Sequence, residues 1–197
     1  MTYVKASVRR PSGNPGNGIQ PKDQLVIYDV DDILSFPQRN DAGVVIEDDI
    51  VMKAGRYAIG IYLTPGTAEI SSNSDGETDA EGYTPSVKFN HPGNEQEIRE
   101  FKTNWLSKKC IVVLRYCSGK PADLIGTPCN PCKLSVSYTG SNESNTNELT
   151  FTQISKGDDI AIYRGTDTLE EPVAVVEAGA TDIDYQTDGQ YQLSAGA

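Results

Sequence analysis

Short apolar stretches, many of them alternating with polar residues, run along the chain from Gln24 onward. Strict alternation is typical of a strand with one buried face, and a short continuous apolar run is typical of a strand buried on both faces. RYAIGIYL alternates, whereas QLVIYDV and CIVVLRY are nearly continuous apolar runs. The patterns predict a mainly β protein with strands at 24–30, 44–52, 56–63, 87–89, 110–116, 134–138, 149–154 and 159–163.

Turn-forming and polar segments separate these strands. Thr64–Thr67 reads TPGT, a tight-turn sequence, so we expect 56–63 and 67–71 to pair as a hairpin. The polar stretches 71–82 and 140–148 are expected to be loops. Asp75 and the acids after it match a calcium-binding loop poorly, because the positions that need Gly and Glu hold other residues.

One amphipathic helix is predicted in the middle of the chain, over 94–109. Asn94 and Glu97 have the spacing of a capping box, and acids follow at the positive end of the helix dipole. The apolar side chains that follow fall on one stripe of the helix surface, and two lysines occupy its C-terminal end. We expect the stripe to anchor the helix to the β core through Ile98, Phe101 and Trp105.

The two ends of the chain lack the regular strand patterns of its middle, so we divide the chain into an N-terminal arm, a β domain and a C-terminal segment. Residues 1–23 are broken by prolines and glycines and are expected to form an arm, either disordered or ordered on a neighbouring subunit. Residues 24–164 form the expected β domain. Residues 165–197 are expected to be a second arm or further strands, and the apolar VAVV at 173–176 suits an edge strand donated to a neighbour.

Composition argues against an enzyme and against a protein that grips nucleic acid. The chain of 197 residues has a formal net charge of −11, which repels phosphates and anionic membranes. It has one histidine, His91, which leaves little material for a multi-histidine metal site or a catalytic triad, and a loop or capping role is expected for it. The first residues show no apolar signal segment, and no long apolar run predicts a membrane helix.

The cysteines are the other candidates for chemistry. Cys129 and Cys132 form a CNPC motif, which is half of a zinc site or a redox motif. Cys110 and Cys117 are seven residues apart on a predicted strand, so they point to opposite faces and do not complete a metal site. We expect the cysteines to be small buried side chains, with no metal, no cofactor and no obligatory disulfide. A metal site and a disulfide are the two alternatives.

Three stretches carry a resemblance to a known family: KFNHPGNEQEIREFKTNWLSKKCIVVLRYCSGKP, CNPCKLSVSYTG and ELTFTQISKGDDIAIYRGT. Together with the order of strands, helix and termini over about 20–165, they resemble the major tail tube proteins of long-tailed bacteriophages, especially those of Bacteroidetes hosts. The resemblance implies a β-sandwich or barrel with one flanking α-helix, the phage tail tube or Hcp-like fold. It implies hexameric rings stacked into a non-contractile tube that conducts DNA without binding it specifically.

Further expectations follow from that resemblance. The protein would assemble in the host cytoplasm, reside in the virion, and contact itself and other tail proteins such as tape measure, terminator and baseplate. Both arms would make ring-to-ring contacts. The lumen would be acidic, with Glu47, Asp48, Asp49 and Glu69 as candidate lumen-facing residues and a solvated outer loop as the alternative for 47–49.

Two other functions remain open from sequence. A carbohydrate-binding β-sandwich would use tyrosines as a stacking platform, and Tyr57, Tyr62 and Tyr83 are close in sequence. Another tail component, such as a terminator or baseplate hub, is the second alternative.

Overall fold

The computed structural model describes residues 5–14, 16–117 and 119–169. The described chain is mainly β with one α-helix, as the sequence predicted, and its form is consistent with a β-sandwich-like fold. The helix α1 spans Gln96–Trp105. The strands are β1 (Pro21–Asp29), β2 (Ile33–Ser35), β3 (Val45–Ile46), β4 (Val51–Met52), β5 (Ile59–Tyr62), β6 (Glu69–Asp75), β7 (Gly82–Pro92), β8 (Cys110–Tyr116), β9 (Ala122–Ile125), β10 (Cys132–Gly140), β11 (Asn145–Gln153) and β12 (Ala161–Tyr163).

Ten strands form one large sheet, and β2 and β4 form a separate two-stranded sheet. The order along the large sheet is β3-β12-β9-β8-β10-β11-β7-β6, and β1 lies between β8 and β5. Strand β8 pairs with β9 along Val112–Leu114 but with β10 at Cys110, so β9 and β10 follow one another along the same edge. The large sheet therefore divides at this edge of β8, where β9 leads to β12 and β3, and β10 leads to β11, β7 and β6.

The central strands β1 and β8 are buried on both faces because apolar side chains occupy consecutive positions. Leu25 and Ile27 belong to a first apolar cluster, which also holds the inward side chains of β7, β10 and β11. Val26 and Tyr28 belong to a second cluster on the opposite face, covered by β12 and the 30–58 segment. The near-continuous apolar runs of the sequence thus correspond to the two-sided core.

Helix α1 is shorter than predicted, and its predicted cap is wrong. The N-cap residue is Glu95, and no side chain caps the helix there. The side chain of Asn94 instead accepts a hydrogen bond from Lys102 Nζ at 2.8 Å, so it is not available to the first helical turn. No helix within the described ranges is long and apolar enough to cross a membrane.

The apolar stripe of the helix faces the first cluster, with unequal burial along its length. Ile98 is 4% exposed and lies in the cluster, whereas Phe101 and Trp105 are half-buried and pack against it. The two aromatic rings stack on each other with centroids 5.6 Å apart. Lys108, beyond the end of α1, places its Nζ 5.1 Å from the Trp105 ring centroid.

The predicted hairpin between 56–63 and 67–71 is wrong, although its turn forms. Thr67 N donates to Thr64 O at 3.2 Å, and Gly66 has a φ of 78°, which suits glycine. The strand before the turn, β5, pairs with β1, and the strand after it, β6, pairs with β7. A tight turn reverses the chain but does not select the partner, and the doubly buried β1 provides the apolar neighbour for β5.

Two predicted loops are partly strand. The segment 71–82 continues β6 to Asp75, and only the turn between β6 and β7 remains irregular. The segment 140–148 includes the first residues of β11, so β10 and β11 form a long hairpin closed by a short polar turn. Polar side chains misled the prediction here because both hairpins have a solvated face.

The ends of the described chain behave differently. Residues 5–14 are exposed throughout, and the first strand begins at Pro21, slightly earlier than predicted. Residues 165–169, which were assigned to the C-terminal arm, lie on the body, where Ala58 N donates to Thr168 O at 3.0 Å. The apolar VAVV at 173–176 lies outside the described residues.

Candidate assembly surface

Four consecutive strands of the large sheet, in the order β6-β7-β11-β10, present a polar face to solvent. One face of these strands packs on the first apolar cluster, for example through Val87, Phe89, Leu149 and Phe151. Because side chains alternate, the residues between them point the other way. The resulting surface, here called the polar face, consists of Glu69, Ser71, Asn73, Asp75, Thr84, Ser86, Lys88, Asn90, Lys133, Ser135, Ser137, Thr139, Thr146, Glu148, Thr150 and Thr152.

The polar face is rich in hydroxyl groups and carries balanced charge. Its charged residues are Lys88, Lys133, Glu69, Asp75 and Glu148, and the charge balances because Asp75 Oδ2 lies 3.2 Å from Lys156 Nζ. Lys88 Nζ lies 3.3 Å from Glu69 Oε2 across the β6–β7 pair. Such a surface is well hydrated and forms hydrogen bonds, and its electrostatic potential is neither strongly positive nor strongly negative.

The four-stranded unit has an open edge at each side. Among the described residues, β6 pairs along its length only with β7, and β10 pairs beyond Cys132 only with β11. All three pairings within the unit are antiparallel, so β6 and β10 run in opposite directions. Open strand edges have unpaired N–H and C=O groups and readily accept a strand from another chain.

A buried polar contact ties helix α1 to this unit. Asn147 on β11 is fully buried, and its Oδ1 accepts from Lys102 Nζ at 2.6 Å. Its Nδ2 donates to Gly93 O at 2.5 Å. Lys102 Nζ also lies 5.2 Å from the ring centroid of Tyr138 on β10, and burial lowers the pKa of this lysine. The helix is thus fixed against both strands of the β10–β11 hairpin.

The candidate lumen acids at 47–49 do not lie in a strand. They form the connection between β3 and β4, which corresponds to the solvated-loop alternative. Arg164 Nη1 lies 2.9 Å from Glu47 Oε1, and Asp49 Oδ1 accepts from Thr166 N at 2.6 Å. Two of these acids therefore hold the segment after β12, and Asp48 is exposed.

The fourth candidate acid, Glu69, lies on the polar face, where it pairs with Lys88 as described above. The structure thus separates the four candidates, since only Glu69 belongs to the β6-β7-β11-β10 unit. The sequence signal that identifies the polar face is a different one, the polar side chains at every second position of 133–139 and 146–152, most of them Ser or Thr.

Asp167 anchors the same segment from the other side. Tyr28 Oη donates to Asp167 Oδ1 at 2.6 Å, and Arg115 forms an ion pair with the same carboxylate. Arg115 also donates from Nη2 to Gly165 O at 2.7 Å. Burial and then the Asp167 hydrogen bond raise the pKa of Tyr28, while the Asp167 hydrogen bond raises the pKa of Arg115. This contact is structural, and sequence reasoning did not identify it.

The cysteines occupy two environments. Cys110 and Cys132 are opposite each other on β8 and β10 and are fully buried, whereas Cys117 and Cys129 are exposed. All four are free thiols, and burial raises the pKa of Cys110 to about 12. The described part of the chain brings together no group of three or more residues able to hold a metal ion.

His91 lies on β7 rather than in a loop before the helix. Its ring meets that of Tyr62 edge-on, with centroids 6.2 Å apart, and burial lowers its pKa. Three tyrosines considered for carbohydrate stacking, Tyr57, Tyr62 and Tyr83, are each between 41% and 50% exposed.

Comparison of the chain with protein-family models, curated proteins and solved structures gave no significant match.

Proposed function

We propose that this chain is a structural tail tube protein of a bacteriophage virion, which assembles into rings that stack into a conduit for DNA. The observation that supports this most is the β6-β7-β11-β10 unit, with one apolar face, one polar face and an open edge at each side. The resemblance of 88–121, 129–140 and 148–166 to tail tube sequences points in the same direction.

The two edges favour closed rings over pairs. Strand β10 of one copy meets β6 of the next, which is a heterologous contact that repeats around a ring. Because β6 and β10 run in opposite directions within one copy, this contact continues the antiparallel pattern without interruption. A ring also covers both edges, which removes the aggregation hazard of an open sheet.

The dimensions of such a ring suit duplex DNA. Six copies with four strands each make a barrel of roughly 24 strands, whose circumference at about 4.8 Å per strand and a tilt near 40° is on the order of 150 Å. The backbone diameter is then about 48 Å. Side chains on the inner wall narrow the channel and leave room for a double helix.

The polar face is the proposed inner wall. Hydroxyl groups and balanced charge keep the wall hydrated, and they give DNA phosphates no cluster of cations to bind. This proposal differs from the acidic wall expected from the sequence, since Glu47, Asp48 and Asp49 lie in the β3–β4 connection, outside the four-stranded unit. The helix and the second apolar cluster then belong to the outer layer.

The mass of the purified protein in solution tests ring formation. Light scattering after size exclusion is expected to give a species of about six times the 21.3 kDa chain at high concentration. The exposed Tyr57, Tyr62 and Tyr83 favour the carbohydrate-binding alternative. That alternative predicts a monomer that binds to one or more glycans of an immobilised panel. A persistent monomer would contradict the ring proposal.

A further inference from the structure

The half-buried amine of Lys102 is held against the amide of Asn147, which is fully buried on β11. Lys102 Nζ lies 2.6 Å from Asn147 Oδ1. The amide carbon Cγ is bonded to Oδ1, so Nζ is at most about 3.8 Å from this carbon. Asn147 Nδ2 donates to Gly93 O, which fixes the orientation of the amide. An amine and a carbonyl carbon at this separation are close to reacting distance.

Lys102 has no carboxylate partner, since none of the ion pairs within the described ranges includes it. Burial, and then the charge of Arg99, lowers the pKa of this lysine. Its other neighbours are Asn94 Oδ1, at 2.8 Å from Nζ, and the ring of Tyr138. Desolvation and a second cation are the two means by which a lysine becomes a nucleophile, because both raise its neutral fraction.

His91 supplies a proton acceptor beside the amide. It is the register partner of Asn147 across the β7–β11 pair, where opposed Cβ atoms are about 4.5–5.5 Å apart. His91 Nδ1 is buried and has no hydrogen-bond partner among the described residues. Burial lowers the pKa of His91, and the Lys102 charge adds to this effect while the Pro92 backbone and Glu97 oppose it. A neutral imidazole at this position can accept and return a proton.

We infer that Lys102 and Asn147 of one chain join in an isopeptide bond. Neutral Nζ forms a bond to Asn147 Cγ, and the bond between Cγ and Nδ2 breaks. Nζ gives up one proton to His91, which passes it to the departing nitrogen, so ammonia leaves. The atoms balance without an oxidant, a reductant or any other reactant.

The bond would tie helix α1 covalently to the four-stranded unit. It closes a loop over residues 102–147, which reduces the freedom of the unfolded chain and so stabilises the folded one. Only a neutral Nζ reacts, so the bond should form slowly near pH 7 and faster at pH 9, and the hydrogen bond is the form present before reaction. All participants belong to one chain, so the reaction goes beyond the proposed function and requires no ring.

Intact-mass spectrometry of the full chain during incubation at pH 9 tests the reaction. We expect a gradual decrease of about 17 Da, the mass of one ammonia. Trypsin should then release 100–108 joined to 134–156, because cleavage after Lys102 is blocked. This linked peptide separates the proposed bond from loss of ammonia elsewhere. An unchanged mass, or 100–108 joined instead to 89–99 through Asn94, would overturn the inference.

Three variants separate the reaction from a merely structural contact. Lys102→Arg keeps a positive donor but no reactive amine and should form no linked peptide. Lys108→Arg changes a lysine that pairs with Asp29 and should react at the rate of the unchanged protein. His91→Gln cannot relay the proton and should react at least tenfold more slowly. Trp105 fluorescence and melting temperatures before incubation establish that each variant is folded.

Two results from the variants would count against the inference. The same loss of ammonia in Lys102→Arg as in the unchanged protein would overturn it. An unchanged rate in folded His91→Gln would refute the role of His91 as proton carrier. After complete reaction the unchanged protein should also unfold at a higher urea concentration than before, whereas incubation should not shift the midpoint of Lys102→Arg.

Discussion

The Nζ atom of Lys102 on α1 lies 2.6 Å from the Oδ1 atom of Asn147 on β11. Since Asn147 is fully buried, this contact joins the helix to the sheet whose other face is polar. Through Lys102 the helix contacts both β11 and, at Tyr138, β10. The contact therefore connects the core of the protein to the proposed assembly edge.

Removing the lysine should destabilise the protein by leaving a buried acceptor without its partner. Lys102→Met keeps much of the side-chain volume but no donor, and a loss of about 1–3 kcal/mol in the free energy of unfolding is expected. Urea denaturation measures it. Lys133→Met, on the exposed polar face, is the matched control and should change stability by less than about 0.5 kcal/mol. Equal stability of the two variants would contradict the role of the contact.

The helix anchors should contribute unequally. Ile98→Ala removes a side chain that is 4% exposed, and a cost of about 2–4 kcal/mol is expected. Trp105 is half-buried, so Trp105→Ala should cost less than the roughly 3–5 kcal/mol typical of a fully buried tryptophan. Thermal unfolding of both variants measures the difference. A melting temperature unchanged by Ile98→Ala would refute the packing of α1 on the first cluster.

Alkaline pH should reduce the stability of the folded protein, because Tyr28 stays neutral there while it ionises in the unfolded chain. Burial raises the pKa of Tyr28 above its ordinary value of about 10, because the neutral phenol is favoured in the folded state. The stability that the neutral Tyr28 gives to the folded protein is therefore complete below pH 10 and declines as pH rises above 10. Tyr28→Phe should reduce the fall in stability between pH 9 and pH 11, measured by urea denaturation. An identical pH dependence in both proteins would speak against this assignment.

Proline substitution should block the β6 edge without unfolding the sheet. In an antiparallel strand, successive N–H groups point alternately toward the partner and away from it. Of Asn73→Pro and Ser74→Pro, one removes a β6–β7 hydrogen bond and the other removes only an outward N–H. The variant with the higher melting temperature identifies the outward position, and we expect it to remain monomeric by light scattering. If that variant forms rings as well as the unchanged protein, β6 is not the assembly edge.

The cysteines are expected to have no metal or redox role in folding. Purified protein should contain less than stoichiometric zinc by elemental analysis, and its melting temperature should be the same with and without reductant. Cys110 and Cys132 are small buried side chains in the first cluster. Stoichiometric zinc, or unfolding in reductant, would overturn this expectation.

The sequence predicts most of the core of this fold because buried positions are apolar and form recognisable patterns along the chain. The doubly apolar runs of β1 and β8 and the stripe containing Ile98 are found where the patterns place them. The choice of strand partner is encoded less directly. The sequence therefore predicts the turn at Thr64–Thr67 but not the partners of β5 and β6. Local propensity does not encode which distant strand provides the neighbouring edge.

The candidate assembly surface was harder to predict for a similar reason. The acidic run 47–49 is conspicuous in the sequence, but Glu47 and Asp49 contact Arg164 and Thr166, in the segment after β12. The alternating polar side chains of 133–138 and 149–152 predict strands with one solvated face, but they do not indicate which other strands complete that face. Only the register of four paired strands assembles them into one face.

Electron microscopy of the concentrated purified protein tests the central proposal most directly. We expect rings with a central channel that stack into tubes, and averaged images of these rings should show an inner wall built from four strands of each copy. In a protein whose exposed native thiols are removed by Cys117→Ser and Cys129→Ser, the substitutions Ser135→Cys and Thr150→Cys on the polar face should place a thiol-reactive gold label inside the channel. Dispersed monomers at high concentration, or label on the outer surface of the tubes, would contradict the account.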